Sequence, residues 1–273
     1  MSTPFHDFEQ AQWQRAVEPY DTHWSRLTGQ AIPAILRCLG VGPGSRLLDL
    51  ASGPGHLAQR AAELGAEVVG VDFAPSMVAR ARSLHPGLRF EEGDAERLEF
   101  PARSFQAVAM NFGILHLDRP HDALREAQRV LQPGGRFGLT AWAGPGEAAG
   151  FATVLRAVER HGLPVELPKG PDFFAFGDPE RCVEALRAAG FDAAQVERLD
   201  LRWRLESPAD FFDAFYGGTA RTGALLRGQD DEARGRISAA VAEAVAAFSS
   251  EEGGIEVPMP ALLAHGQRPS GPI

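Results

Sequence analysis

The chain is almost devoid of lysine: Lys169 stands alone among 27 lysines and arginines in 273 residues. That usage is typical of a GC-rich genome and points to a bacterial source. Cysteine is nearly as scarce. Only Cys38 and Cys182 occur, far apart, so a reduced cytosolic protein is expected rather than a disulfide framework. No apolar run approaches the roughly 20 residues of a membrane span. The stretch from Met1 to Asp7 lacks the basic start and apolar segment of a secretory signal. No Cys/His spacing suits zinc, and the pairing of His116 with His121 around Asp118 reads as coincidence, so no metal is expected. Positive charge is also short. Acidic residues number 36 and the net charge is −9, which argues against DNA or tRNA as the substrate.

Present instead is an ordinary globular balance, 44% hydrophobic and 23% charged. The length suits one large α/β domain, or a domain with a substantial insertion. Apolar spacing from Phe8 through Trp13, Val17, Trp24, Leu27, Ile32, Ile35 and Leu36 predicts helix over 8–39, punctuated by Pro19 and Pro33. Strands are expected at 46–51, 67–72, 88–91, 104–110 and 136–142, alternating with helices at 55–64, 75–84 and 122–131. Such alternation belongs to a doubly wound, mostly parallel sheet. Beyond it lie helices at 151–162 and 179–189, a sixth strand at 196–205, a helical block at 208–249 and a seventh strand at 255–267. The helical block is too long for a simple sheet connection and reads as a lid inserted before the last strand.

The chemistry concentrates around Leu47-Leu48-Asp49-Leu50-Ala51-Ser52-Gly53-Pro54-Gly55, a strand running into a glycine-rich turn. Gly53 to Ala58 satisfies G-x-G-x-x-G/A, a weak signal taken alone, since a turn without a ligand gives the same pattern. Context strengthens it. Asp72 ends the second strand at a spacing suited to ribose hydroxyls, and Asp94 follows the third. Three acids therefore share one edge of a parallel sheet. Asp49 separates cofactor classes, because a dinucleotide would set a pyrophosphate against that carboxylate. S-adenosylmethionine carries a sulfonium and an ammonium there instead. Asp49 would meet the cationic methionine part, Asp72 the ribose diol and Asp94 the adenine amino group.

With these motifs on the page, the chain resembles the class I S-adenosylmethionine-dependent methyltransferases, in the style of the ubiquinone/menaquinone C-methyltransferase-like small-molecule group. The resemblance rests on Leu48–Gly55, Gly70–Met77, Glu92–Glu96 and Arg129–Gly135, within about residues 40–145. The family usually has glycine where this chain has Ala51, a replacement that costs little if φ there is negative. The resemblance implies a seven-stranded Rossmann-like fold with N-terminal helices. It also implies cofactor contacts from Ala51, Ser52, Gly53, Gly55, Phe73 and Ala95, from Asn111 and Phe112 after the fourth strand, from Met77, and from Tyr20 closing over the site. For Met77, Phe112 and Tyr20 the plain alternative is packing.

The family has no universal catalytic residue. His116, shortly after the fourth strand, is the candidate base for a phenol or alcohol; the alternative is that it packs the loop, and His23 is a weaker candidate. Arg221 is placed to hold an anionic group of the acceptor. Trp142, Phe173 and Phe176, with Phe212 and Tyr216, are candidates for an apolar acceptor chamber, or for a small core of the lid. The loop Asn111-Phe112-Gly113-Ile114 is not the N/D-P-P-Y/F of base-amine methylation, and no Pro-Cys pair suits cytosine C5 chemistry. The expected organisation is an N-terminal helical cap (1–40), a cofactor-binding half of the core (41–145), the rest of the core with a substrate-side segment (146–207), a helical lid (208–250), and the last strand and tail (251–273). The expected function is methyl transfer to a small, partly apolar acceptor. The alternatives are a cofactor-bound rearrangement or cyclisation, a regulatory protein that binds the cofactor, or an NAD-dependent oxidoreductase.

Overall fold

A computed structural model describes residues 3–144, 146–250 and 253–271. Nine strands are present among them: β1 (Arg46–Leu50), β2 (Glu67–Asp72), β3 (Arg89–Glu92), β4 (Phe105–Asn111), β5 (Leu131–Trp142), β6 (Asp192–Leu199), β7 (Arg202–Leu205), β8 (Ile255–Pro258) and β9 (Ala261–Gln267). Seven form one sheet in the order β3-β2-β1-β4-β5-β9-β6. The first five run parallel, and β9 opposes both its neighbours. Side chains alternate between faces: Leu48 and Leu50 enter one core, Leu47 the other, and β4 repeats this with Val108 and Met110 against Ala107 and Ala109. Both faces are thus buried, as a parallel sheet requires. The winding reverses between β1 and β4, which opens a crevice at their carboxyl ends.

The N-terminal helices are α1 (Pro4–Pro19), α2 (Ser25–Thr28) and α3 (Ile32–Leu39). Helix begins four residues before the expected point, because Thr3 caps it by accepting the His6 N–H at 3.1 Å and Pro4 suits the first turn. A π-helical turn, Tyr20–Trp24, follows Pro19. Around the sheet lie α4 (His56–Glu63), α5 (Pro75–Leu84), α6 (Pro120–Val130), α7 (Ala149–His161) and α8 (Pro179–Ala188). The inserted block is α9 (Pro208–Gly218), α10 (Arg221–Arg227) and α11 (Asp231–Val245).

Two expected strands are each broken in two. The sixth becomes β6 and β7, the seventh β8 and β9, and β7 pairs with β8 in a separate two-stranded ribbon. Pro258 and Pro260 explain the second break, since neither can donate to a ladder. Met259 between them is buried, and its N–H donates to the Leu201 carbonyl at 2.9 Å, which fixes the matching break after β6. Trp203 of this ribbon packs against Trp24, ring centroids 4.3 Å apart, and the inserted helices lie between its two strands in the chain.

Candidate cofactor and acceptor site

At the end of β1 the chain turns through three left-handed residues: Ala51 (φ 51°), Gly53 (51°) and Gly55 (87°). Glycine adopts this freely, whereas alanine pays about 1–2 kcal/mol. The condition under which Ala51 would cost little, a negative φ, is therefore not met. Its methyl sits close against Gly113, where an added Cβ would lie 2.5 Å away. Asp72 ties this turn to β2, its Oδ2 accepting the Gly53 N–H at 2.8 Å and its Oδ1 the Ala74 N–H at 2.9 Å. Burial raises the Asp72 carboxyl to about 6, against the pull of those two N–H groups.

Asp49 is more strongly perturbed. Burial pushes its carboxyl up to about 8, opposed by the Ala58 backbone N–H and reinforced by the charge of Asp72. Its Oδ2 has no hydrogen-bond partner among the described residues, and neither has the buried Oγ of Ser52 beside it. An unpaired carboxylate oxygen in such a place is costly unless a cationic donor arrives. At Asp94, Oδ1 accepts the Glu96 N–H at 2.8 Å, and Oδ2 is 3.7 Å from His6 Nε2.

These acids face two adjacent cavities in the crevice. The larger is lined by Asp72, Phe73, Met77, Asp94 and Ala95. The smaller reaches back to Asp49 and Ser52. Tyr20, Thr28, Ala51, Gly53 and Asn111 line both. The Tyr20 hydroxyl lies 3.3 Å from Thr28 Oγ1, and burial chiefly raises the phenol to about 12. Asn111 is held at both ends: its Oδ1 accepts from Thr140 Oγ1 at 2.7 Å, and its Nδ2 donates to the Thr28 carbonyl at 3.2 Å. Thr140 Oγ1 also accepts the Phe112 N–H at 2.9 Å, which helps hold Phe112 at a φ of 57° with its ring stacked on Trp142, centroids 4.1 Å apart.

The larger cavity also has an aromatic lining. Trp13, Trp24, Phe112, Trp142, Phe151 and Phe173 line it, together with His116. His116 Nδ1 lies 3.0 Å from Glu9 Oε2, and its ring meets Trp13 edge-on at 4.7 Å.

Several expected site residues lie elsewhere or are already engaged. Gly55 lines neither chamber; a Cβ there would meet the Phe90 ring at 2.6 Å, so glycine is needed for packing onto the sheet. Phe176, Phe212 and Tyr216 do not line the cavity. Phe176 is buried near His121, while Phe212 and Tyr216 lie nearly parallel at 6.1 Å, Tyr216 beneath Arg227 and Arg234. They belong to the packing alternative. His23 engages through its carbonyl, which accepts the Trp203 indole N–H at 3.2 Å, and it too is absent from the chamber. Arg221 borders the chamber and three of its five N–H donors hold its walls: Nε donates to Glu9 Oε1 at 2.8 Å, Nη1 to the Pro171 carbonyl at 2.7 Å and Nη2 to the Leu115 carbonyl at 2.8 Å.

Glu9, Thr28 and Trp24 were not singled out as site residues from sequence. Glu9 had a signal: it interrupts the buried face of α1 formed by Phe5, Trp13 and Ala16, and it is itself fully buried. Trp24 and Thr28 had none, because only the fold turns them inward.

Residues 48–139 match the family model described as a methyltransferase domain. A demethylmenaquinone methyltransferase of Thermus thermophilus is 39% identical over 165 residues, covering 54% of this chain and 74% of the relative. The chain belongs to the class I S-adenosylmethionine-dependent methyltransferases. A second demethylmenaquinone methyltransferase, from Beutenbergia cavernae, is 39% identical over 46% of this chain, and the chain spans only about half of that relative's length (49%). The fold extends further than this sequence similarity. A phosphoethanolamine N-methyltransferase from Haemonchus contortus, solved with phosphomonomethylethanolamine and S-adenosylhomocysteine, superposes with a TM-score of 0.58 at 20% identity, covering 97% of this chain and 60% of that one.

The cofactor of this methyltransferase family fits the residues present. The unpartnered Asp49 Oδ2 and the Ser52 Oγ beside it offer acceptors to an ammonium group, which a pyrophosphate could not use. Asp72 keeps a second lone pair on each oxygen for ribose hydroxyls.

Proposed function

We propose that this methyltransferase moves the methyl group of S-adenosylmethionine onto a small, partly apolar acceptor held in the aromatic chamber. The observation that carries the reading is the pair of adjacent cavities: an unpaired buried carboxyl oxygen lies at one, and aromatic rings and a histidine wall the other. When bound, the cofactor supplies a methyl group already activated by a positive sulfur. The protein's task is then alignment and exclusion of water. Asp49 and Ser52 would hold the methionine end, Asp72 the ribose, and Asp94, Ala95, Phe73 and Met77 the adenosine side. Tyr20 and Asn111, which border both cavities, and Phe112, which borders the larger, would lie where the two ligands meet.

The curated relatives are named for demethylmenaquinone, and a flat apolar acceptor of that kind agrees with the stacked lining of Phe112 and Trp142. The acidic net charge favours a small molecule over nucleic acid. Calorimetric titration with S-adenosylmethionine and S-adenosylhomocysteine tests the cofactor half. Incubation with a panel of quinols and phenols tests the rest: products heavier by one methylene with S-adenosylhomocysteine released support transfer. Absence of binding refutes the proposal, and products of unchanged mass would turn it toward cyclisation or rearrangement.

A further inference from the structure

Glu9, to which no cofactor contact is assigned above, links His116 to Arg221. Glu9 is fully buried on α1 and shares its two oxygens between two partners: Oε2 with His116 Nδ1 at 3.0 Å, Oε1 with Arg221 Nε at 2.8 Å. Arg221, on α10, also lies over the Phe5 ring at 4.5 Å. A carboxylate oxygen beside Nδ1 favours the tautomer in which Nδ1 carries the proton. The remaining nitrogen, Nε2, then has a free lone pair on a ring that borders the chamber, and it meets no described protein hydrogen-bond partner.

We infer that Glu9 is the positioning residue for His116, fixing its tautomer so that Nε2 takes the hydroxyl proton of a phenol- or hydroquinone-type acceptor, and that Arg221 compensates the buried carboxylate. This rests on the methyl-transfer reading above and adds the acceptor class: the attacking atom is an oxygen that must lose a proton. In the step, Nε2 takes that proton as the oxygen bonds to the methyl carbon. The carbon–sulfur bond breaks with its electron pair left on sulfur, and the imidazolium returns its proton to water. A carboxylate–histidine pair of this kind needs both members in place before the base is correctly oriented.

The test is nitrogen-15 NMR of histidine-labelled wild-type protein under conditions where His116 is neutral, assigned with His116→Gln. The expected wild-type spectrum shows the proton on Nδ1, and a proton on Nε2 overturns the inference; the only variant this needs folded is His116→Gln, for the assignment. In Glu9→Gln, whose side-chain amide can donate to Nδ1, the population is expected to move toward the Nε2-protonated form. With a phenolic acceptor that turns over, Glu9→Gln should lower kcat at least tenfold and His116→Gln at least a hundredfold, with KM for the acceptor moving less than threefold. An unchanged kcat in Glu9→Gln overturns the positioning role. Failure of S-adenosylmethionine to bind the wild type would refute the methyl-transfer reading while leaving the tautomer measurement to stand or fall separately.

Discussion

Replacing Asp49 by Asn isolates the most strongly perturbed group in the site. Its carboxyl stands at about 8 in the fold against an ordinary value of 3.8, so between those limits the folded chain holds a proton that the unfolded chain has lost. The sign follows: the group's contribution is fully favourable below the lower value and is lost as pH rises to the upper one. At about 1.4 kcal/mol per pH unit, roughly 4 kcal/mol has gone by pH 7. A cationic ligand reverses the preference. An ion pair at about 4 Å and an effective dielectric near 20 gains about 4 kcal/mol, from which about 1.4 kcal/mol is spent removing the proton at pH 7. The remaining 2–3 kcal/mol is roughly a 30- to 150-fold loss of S-adenosylmethionine affinity in Asp49→Asn. The assay is isothermal titration at pH 7 in two buffers of different ionisation enthalpy. Wild type should release close to one proton per cofactor bound, and Asp49→Asn almost none. Asp72, at about 6, is mostly ionised at this pH and adds little. Binding without proton release, or an Asp49→Asn variant with wild-type affinity, would refute the reasoning.

Asp72→Ala should weaken cofactor binding by roughly 1–3 kcal/mol by leaving the hydroxyl partners and the Gly53 and Ala74 N–H groups unmet; equilibrium titration checks this. Ala51→Gly, which relieves a left-handed alanine, should leave binding intact and raise unfolding stability by up to about 1 kcal/mol in urea, with a loss of stability as the contrary result. Arg221→Leu strands the buried Glu9 carboxylate and should cost about 3–5 kcal/mol; adding Glu9→Gln in the same chain should restore part of it, and simple additivity of the two costs would exclude their coupling.

The cofactor side was legible because its signals are local. Asp49, Gly53 and Asp72 lie within one βαβ unit, where strand, turn and acid occur at fixed spacing. Ala51 was readable as a departure from the glycine pattern, but its left-handed φ and the close approach of its methyl to Gly113 were not, since no local window contains that neighbour. The acceptor side was legible only in part. His116 and Phe173 line the cavity, whereas Phe176, Phe212 and Tyr216, which look equivalent by composition, do not. Aromatic clustering says that rings are buried and not which empty space they border. The break in the sixth strand depends on a partner, Met259, that lies far along the chain.

Sequence distance gives the Glu9–Arg221 contact a further consequence. The two residues are 212 positions apart, and Trp24 reaches the Ala214 carbonyl across 190. During synthesis the glycine turn and its acids leave the ribosome early, but the chamber has no far wall until α9 and α10 have followed. Contacts of such long separation are slow to form, because the intervening loop entropy is paid before they reward it. The nascent chain therefore spends a period with its aromatic wall open, and that is when Trp24, Trp142 and Phe151 are exposed to aggregation. A folded cofactor half with an unfinished roof is the intermediate that pulse-labelled hydrogen exchange should catch, with amides of β1 and β2 protected before those of α1 and α9.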